Sequence, residues 1–234
     1  MVFFATRGLL GPSGTNAGDI DVGAEVILNE NGSPVNYLVV NQGIPENSPL
    51  YDASCEGTWL LRKDISENRQ WHSSNSNSYK ASTIHSYLNG DWLDRYDPAV
   101  AEAIVQAKIP YVNGTGGSPV ASGANGLSVK AFLLGGYEVG FTTSDNQYFP
   151  VDGVKLSYFD AGTGSVANNK RIAKLNGSAT RWWLRSPITH DIDNACGVES
   201  NGGYYNGRCS NSYGVRPALI LPYDFKFTSD QIAV

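Results

Sequence analysis

The sequence has few of the residues that most often mark catalysis, metal binding or disulfide bonding. It contains three cysteines and three histidines, and these form no CxxC, HExxH or similar ligand spacing. An odd number of cysteines makes a disulfide framework improbable, although a single pair between Cys196 and Cys209 remains open. P-loop and GxSxG motifs are absent as well. The pattern therefore indicates none of the common metalloenzyme, nucleotide-binding or serine hydrolase classes.

Charge and long apolar runs are also scarce. Charged residues make up 17% of the 234 residues and the net charge is −5. The absence of any Lys/Arg cluster argues against a nucleic-acid partner. No apolar run approaches the roughly 20 residues that a membrane helix needs, and the N-terminus lacks the basic flank of a signal peptide.

Glycine, serine and asparagine are abundant, at 26, 23 and 20 residues. With 41% hydrophobic and 11% aromatic residues, this composition predicts a folded domain that is rich in turns. Residues 8–16 place glycine at every third position, which suits either a flexible leader or the stub of a trimeric fibre. We therefore expect a Gly-rich leader over residues 1–19, a ligand-binding domain over 20–234, and a homotrimer as one possible assembly.

Alternating apolar residues flank Asn31-Gly32, the strongest local signal for a β-hairpin. Residues 59–61 and 131–134 read as further buried strands, and residues 180–222 read as short strands and turns.

Helical spacing of apolar residues predicts one helix over 82–93, with Ser82 or Thr83 as its cap. A second helix is predicted from Asp97 as N-cap, through Pro98 at its first position, to a stop at Pro110. Strands, two helices and then strands predict an α+β domain with an antiparallel sheet.

The segment from 189 to 213, called the window below, is polar and lies between two apolar blocks, WWLRSP at 182–187 and VRPAL at 215–219. Tyrosine with serine, glycine and asparagine is the composition of antibody binding loops, although an ordinary hairpin region fits equally well. We expect burial of the large apolar anchors Trp182, Trp183, Leu184, Leu219 and Leu221. Arg185 and Arg216 are expected to be partly buried and paired with carbonyls or carboxylates.

The two blocks resemble the paired WWLRSP…GVRPAL signature of a bacterial and phage domain family, similar to the variable proteins of diversity-generating retroelements. Residues 69–75, 84–89 and 131–140 resemble its upstream motifs, so the resemblance spans roughly residues 20–222. It implies a C-type lectin-like fold, with two helices, a small twisted antiparallel sheet and long loops. It also implies a ligand-recognition domain for receptor binding or adhesion on a phage or prophage tail. The partner would be a host cell-surface protein or glycan, and the location the virion or an extracellular surface.

In relatives of this kind, residues of the same C-terminal segment vary because adenines in AAY codons are replaced by any base, where Y is a pyrimidine. The resulting NNY codons cannot encode Lys, Glu, Gln, Met or Trp. Those types make up 27 of the 234 residues, yet the 25-residue window holds one, Glu199. The deficit has the expected direction.

The ligand contacts are expected on exposed polar and aromatic residues of the window: His190, Asp191, Ile192, Asp193, Asn194, Tyr204, Tyr205, Asn206, Arg208 and Asn211. No catalytic residue and no cofactor is assigned; calcium at the Asp191-x-Asp193 turn is the one metal considered. Two alternatives stay open. One is an enzyme of the formylglycine-generating type using Cys196 or Cys209, and the other is a structural virion or surface module without a specific ligand.

Overall fold

The computed structural model describes residues 14–142, 148–160 and 164–233. Strands make up 35% of this part of the chain and helical segments 19%. The strands, in chain order, are β1 (Thr15–Asn16), β2 (Glu25–Glu30), β3 (Ser33–Gln42), β4 (Thr58–Arg62), β5 (Glu67–Gln70), β6 (Ala107–Ile109), β7 (Tyr111–Val112), β8 (Pro119–Val120), β9 (Leu127–Val129), β10 (Ala131–Phe132), β11 (Lys174–Leu175), β12 (Ser178–Ala179), β13 (Trp182–Pro187), β14 (Asn194–Val198), β15 (Tyr204–Arg208), β16 (Ser212–Val215), β17 (Ala218–Leu221), β18 (Lys226–Phe227) and β19 (Ile232–Ala233).

The α-helices among the described residues are short: α1 (Thr83–Leu88), α2 (Pro98–Ala103) and α3 (Ser165–Arg171). Single 3₁₀ turns connect other elements, at Ala17–Asp19, Pro45–Asn47, Ala53–Cys55, Tyr79–Ala81, Leu93–Arg95, Ser157–Phe159 and Ser229–Gln231.

The described strands form two larger sheets. The first has six antiparallel strands in the order β10-β17-β4-β3-β2-β19. The second has five in the order β15-β14-β13-β16-β5. Its pairs are antiparallel except β13 and β16, which run parallel with Trp182 opposite Gly214. The second sheet contains the strands of the window, which are β14, β15 and the start of β16.

The expected α+β, C-type lectin-like architecture is wrong, because the described chain is mostly β and its helices are only six or seven residues long. Ser82 caps α1 as predicted, since its hydroxyl accepts from the His85 amide at 3.1 Å. The helix stops at Leu88, ahead of Asn89-Gly90. The second helix ends at Ala103 because β6 pairs with β9 instead of continuing the helix. Strand pairing across the sequence thus overrides the local helical pattern.

The hairpin predicted at Asn31-Gly32 is confirmed, since β2 pairs with β3 from Glu30↔Ser33 onward. Both turn residues have positive φ, 51° and 73°, as a type I′ turn requires.

The predicted leader overlaps the folded unit. β1 pairs with β18, with Thr15 opposite Phe227, and Ala17 is fully buried. Residues 14–19 therefore form part of the same domain as the C-terminal strands. Residues 1–13, which hold most of the Gly-x-y triplets, lie outside the described residues.

The core contains all five tryptophans, at 0% or 1% exposure, and each indole N–H has an acceptor. Four donate to backbone carbonyls at 2.9 Å, and Trp92 donates to the Tyr96 hydroxyl at 3.3 Å. Buried indoles need such partners. The expected burial of the apolar anchors is confirmed for Trp182, Trp183, Leu184, Leu219 and Leu221.

The chain crosses between the two larger sheets at Arg216-Pro217, which joins β16 to β17. A second crossing, from β4 to β5, runs beside it: the Arg62 amide donates to the Pro217 carbonyl at 2.9 Å, and the Ser66 amide donates to the Val215 carbonyl at 3.0 Å. No helix within the described ranges has the length and apolar character needed to cross a bilayer.

Candidate functional site

The window folds onto the second sheet as the hairpin β14–β15, followed by a turn into β16. The register is continuous from Asn194↔Arg208 to Val198↔Tyr204. β15 is an edge strand of this sheet. Because side chains alternate along a strand, Tyr205 and Gly207 share one face, whereas Tyr204, Asn206 and Arg208 share the other.

The face that carries Tyr205 holds a packed aromatic group, called the aromatic face: Trp183, Tyr205 and Tyr213. The Tyr213 ring lies 4.8 Å from the Trp183 ring and 5.4 Å from the Tyr205 ring, centroid to centroid. Trp183 is fully buried, whereas both tyrosines are half-buried. A Cβ at Gly207 would lie 2.7 Å from Tyr213 Cε2 and 2.9 Å from Tyr205 Cε1. The rings can pack here because this position has no side chain.

The tyrosine hydroxyls of the aromatic face bond to each other. The Tyr205 and Tyr213 oxygens are 2.8 Å apart, and Asn211 Nδ2 donates to the Tyr213 hydroxyl at 3.0 Å. Burial, followed by the neighbouring Tyr213, raises the pKa of Tyr205 to about 12. Tyr205 is therefore neutral near pH 7, and the hydrogen bonds between the hydroxyls fix the orientation of both rings.

A cation covers the aromatic face. The Arg181 guanidinium lies 4.3 Å from the centroid of the Tyr205 ring and 6.0 Å from that of Tyr213. Its Nε donates to both Glu199 carboxylate oxygens, at 2.7 and 2.9 Å. The hydrogen bond with Glu199 raises the pKa of Arg181 and lowers that of Glu199. This arginine combines a cation–π contact with an ion pair at a partly exposed position.

The charged and aromatic surface continues along β5, where Arg69 lies opposite Tyr213. The Arg69 guanidinium is 3.5 Å from the centroid of the Tyr87 ring. Glu67 accepts from Arg69 Nε at 3.1 Å and from Arg95 Nη2 at 2.6 Å, and the Tyr87 hydroxyl donates to it as well.

The turn between β13 and β14 carries the remaining predicted contacts. His190, Asp191 and Ile192 are exposed, with Ile192 at 62%. The buried Asn77 holds this turn from inside, because its Nδ2 shares its protons among the carbonyls of Ile188, Asp191 and Asn194 at 2.9–3.0 Å.

Two side-chain oxygens in this turn region have no hydrogen-bond partner in the described part of the chain. Thr189 Oγ1 and Asn194 Oδ1 are buried and make no hydrogen bond within the described residues. Buried polar atoms are normally paired, so these two oxygens are exceptions within the turn.

Both carboxylate oxygens of Asp191 are already engaged within the turn. One accepts from the Asp193 amide at 2.9 Å and the other from Asn194 Nδ2 at 2.8 Å. No group of three or more His, Cys, Asp and Glu side chains in the described ranges could hold a metal ion.

Tyr204 differs from the other predicted contacts. Its ring stacks on Phe149 at 5.6 Å with 18° between the planes, and meets Phe141 edge-on at 5.8 Å. Tyr204 is therefore half-buried and packs against the two phenylalanines, and its role as a ligand contact stays a prediction. Asn206 and Arg208 lie on the same strand face as Tyr204 and are exposed.

The three cysteines are free and fully buried, so the possible pairing of Cys196 with Cys209 does not form. Burial raises the pKa of Cys55 and of Cys196, and raises that of Cys209 to about 12. Thiolate nucleophiles require the opposite shift.

Arg185 and Arg216 are both 1% exposed, deeper than expected. Arg185 binds both oxygens of the Glu138 carboxylate, with Nη2–Oε1 at 2.7 Å, and donates to the carbonyls of Leu133, Pro110 and Asp152. Its expected pairing is confirmed.

Sequence reasoning missed Arg181, Tyr213 and Asn77 as parts of this surface. Tyr213 lies inside the window, where its residue type is the one expected at a binding surface. Arg181 and Asn77 gave no local signal, because their side chains reach the window through tertiary contacts: Arg181 with Glu199 and Tyr205, and Asn77 with carbonyls of the turn.

The chain is thus a mostly β domain with an aromatic, arginine-covered face on its second sheet. A family profile described as a domain of unknown function, DUF6273, matches residues 56–223, which is more than two thirds of the chain. The chain belongs to this family. No curated protein and no solved structure matches it.

Proposed function

We propose that this chain is a ligand-recognition domain, of the receptor-binding or adhesion type, and that the window provides its contact surface. The observation that carries the proposal is the placement of half-buried Tyr205 and exposed Asn206, Arg208 and Asn211 on paired strands and a tight turn. Side chains on a rigid scaffold lose little conformational freedom on binding. Tyrosine and arginine are also the residue types that dominate binding energy at interfaces.

The turn at His190–Ile192 supports the same surface. It lies beside Arg208, because the Cys209 amide donates to the Asp193 carbonyl at 2.7 Å. The exposed Ile192 offers an apolar contact, and the side chains of His190 and Asp191 beside it are exposed and polar. An apolar tip among exposed polar side chains suits a protein or glycan ligand.

We further propose that the ligand is a host cell-surface protein or glycan, and that the domain acts on a phage tail or an extracellular surface. Retroelement-driven variation of the window belongs to the same proposal. Its exposed positions support it, because every one of them is a residue type that NNY codons can encode: His190, Asp191, Ile192, Asn201, Asn206, Arg208, Asn211 and Ser212. The gene itself tests this part: a neighbouring reverse transcriptase with an adenine-biased copy of codons 188–214 is the expected finding.

Binding is tested with the intact, labelled chain on a glycan array and on whole bacterial cells of several species. We expect Asn206→Ala with Arg208→Ala, and separately Tyr205→Ala, to lower binding at least about tenfold. The double variant should leave the melting temperature unchanged, because both side chains are exposed. Lys80→Ala, an exposed cation outside the window, is the matched control.

A blank result on all arrays and cells, or an equal loss for Lys80→Ala, contradicts recognition by the window. The blank result would favour a structural module. The cysteine enzyme has no support from the environment of Cys196 and Cys209, whose thiols are buried and have raised pKa values.

A further inference from the structure

A polar cleft lies where the two sheet crossings meet α3, outside the window. Its volume is about 310 Å³, at the lower end of the range for small-molecule sites. Its charged lining residues are Glu25, Lys63, Asp64, Lys170, Lys174 and Arg216. Four cations against two carboxylates give the cleft an excess of positive charge.

Arg216 lines this cleft and is incompletely paired. It is 1% exposed, its Nε donates to the Arg62 carbonyl at 2.9 Å, and its Nη1 makes no hydrogen bond. The guanidinium packs 4.8 Å from the centroid of the Trp182 ring. Burial lowers the pKa of Arg216 to about 10, which reflects a buried charge without an adjacent counterion. Such a group is costly unless something pairs with it.

The carboxylates of the cleft do not supply that partner. Glu25 is occupied on both oxygens, by Lys63 Nζ at 2.5 Å and by Asn36 Nδ2 at 2.8 Å. Asp64 is exposed and its Oδ1 accepts from the Lys174 amide at 3.2 Å.

The lysines of the cleft differ in how far they are engaged. Lys63 is paired with Glu25, and Lys170 donates to the Tyr158 carbonyl at 2.7 Å while lying 4.7 Å from the centroid of that ring. Lys174 is exposed and its ammonium has no ion-pair partner within the described ranges. Two cationic groups that line the cleft, Arg216 and Lys174, thus lack an ion-pair partner within the described residues.

We propose that this cleft binds a small anionic molecule through a phosphate or carboxylate group, held by Arg216 at its base and by Lys174 at its rim. A guanidinium with a free N–H matches two-oxygen anions in geometry and charge. The volume leaves room for a body of about the size of a monosaccharide beside the anionic group. The site is separate from the proposed recognition surface, so either proposal can fail without the other.

Calorimetric titration of the intact chain at constant ionic strength tests the proposal, with inorganic phosphate, a hexose phosphate, glucuronate and neutral hexose as probes. We expect at least one anionic probe to bind and the neutral hexose not to bind. If only the phosphate-containing probes bind, the ligand carries a phosphate group. If only glucuronate binds, the ligand carries a carboxylate group.

Variants distinguish anion binding in this cleft from general attraction of anions to positive charges on the surface. Lys174→Ala should weaken anion binding about three- to fivefold, and Asp64→Asn should tighten it by a similar factor. Lys80→Ala should change nothing. If the Arg216→Lys variant folds, it should not bind the anion. If it does not fold, Lys174→Ala and Asp64→Asn still test the site. The absence of binding by every anionic probe, or an equal effect of Lys174→Ala and Lys80→Ala, would overturn the proposal.

Discussion

The hydroxyl oxygens of Tyr205 and Tyr213 lie 2.8 Å apart on the second sheet, against the buried ring of Trp183. Because each hydroxyl already has a partner, these tyrosines offer a ligand their ring surfaces more than their hydrogen-bonding capacity. Arg181 covers part of the same rings. A ligand that reaches the Tyr205 ring must therefore compete with this arginine or bind alongside it.

The packing of these rings depends on Gly207, which leads to the first prediction. Gly207→Ala places a Cβ at 2.7 Å from Tyr213 Cε2 and 2.9 Å from Tyr205 Cε1. Overpacking of this kind costs about 1–3 kcal/mol. We expect urea unfolding to show this loss together with a change in the near-ultraviolet circular dichroism of the aromatic face.

Gly203→Ala is the control in the same hairpin. Its Cβ would meet only the Asn201 side chain, with Oδ1 at 3.1 Å, so the free energy of unfolding should change by less than about 1 kcal/mol. Equal losses for the two variants would mean that glycine is needed for backbone flexibility here, and not for ring packing.

The second prediction concerns the buried pair of Arg185 and Glu138. Arg185→Met or Glu138→Gln alone leaves a buried group without its partner, and each should cost about 3–5 kcal/mol. The double variant should lose clearly less stability than the two single variants lose together. It leaves neither the Arg185 guanidinium nor the Glu138 carboxylate buried without the other.

Unfolding free energies of the four proteins measure this coupling. Lys155→Ala breaks the exposed pair with Asp160 and should leave the free energy of unfolding nearly unchanged. Strict additivity of the Arg185 and Glu138 variants would show that the two side chains stabilise the fold independently.

The sequence predicted local features well where the signal lies within a few residues. Asn31-Gly32 set the first hairpin, Ser82 capped α1, and the tryptophans of the WWLRSP block were correctly expected in the core. Each of these depends on near neighbours or on hydrophobicity alone.

The fold class failed because it depended on distant pairing. Ala107 lies within the second predicted helix, but in the structure it pairs with Val129 in a two-stranded sheet. The candidate surface shows the same limit: Asn77 reaches the turn at Ile188 across more than a hundred residues, and no local pattern reveals such a contact. The stacking of Tyr204 on Phe149 was missed for the same reason.

The third prediction tests the thiols. Cys55, Cys196 and Cys209 are fully buried and have raised pKa values, so they should not react with a chromogenic disulfide reagent in the folded protein. Three equivalents should react after unfolding in urea. Rapid reaction of Cys196 or Cys209 in the native state would contradict the buried placement and revive the cysteine enzyme as a function.

The fourth prediction follows from Asp152, which is buried beside Arg185 and bonded to Ser186. Burial is the largest influence on its carboxyl group: it raises the pKa to about 6, with Arg185 opposing the shift and Glu138 adding to it. The folded protein therefore holds this proton more tightly than the unfolded chain does. Between pH 4 and pH 6 the folded state binds more protons, so this group's contribution to stability falls as the pH rises.

A difference of about two pKa units corresponds to about 3 kcal/mol. We expect the stability of Asp152→Asn relative to the original protein to rise by about this amount from pH 4 to pH 7, measured by urea unfolding. Asp160→Asn is the control of opposite sign, because the hydrogen bond from Lys155 lowers the pKa of Asp160. Its relative stability should fall as the pH rises toward 4 and should change little from pH 4 to pH 7. A flat difference for Asp152→Asn would mean that Asp152 is ionised in the core, where Arg185 would then balance two carboxylates.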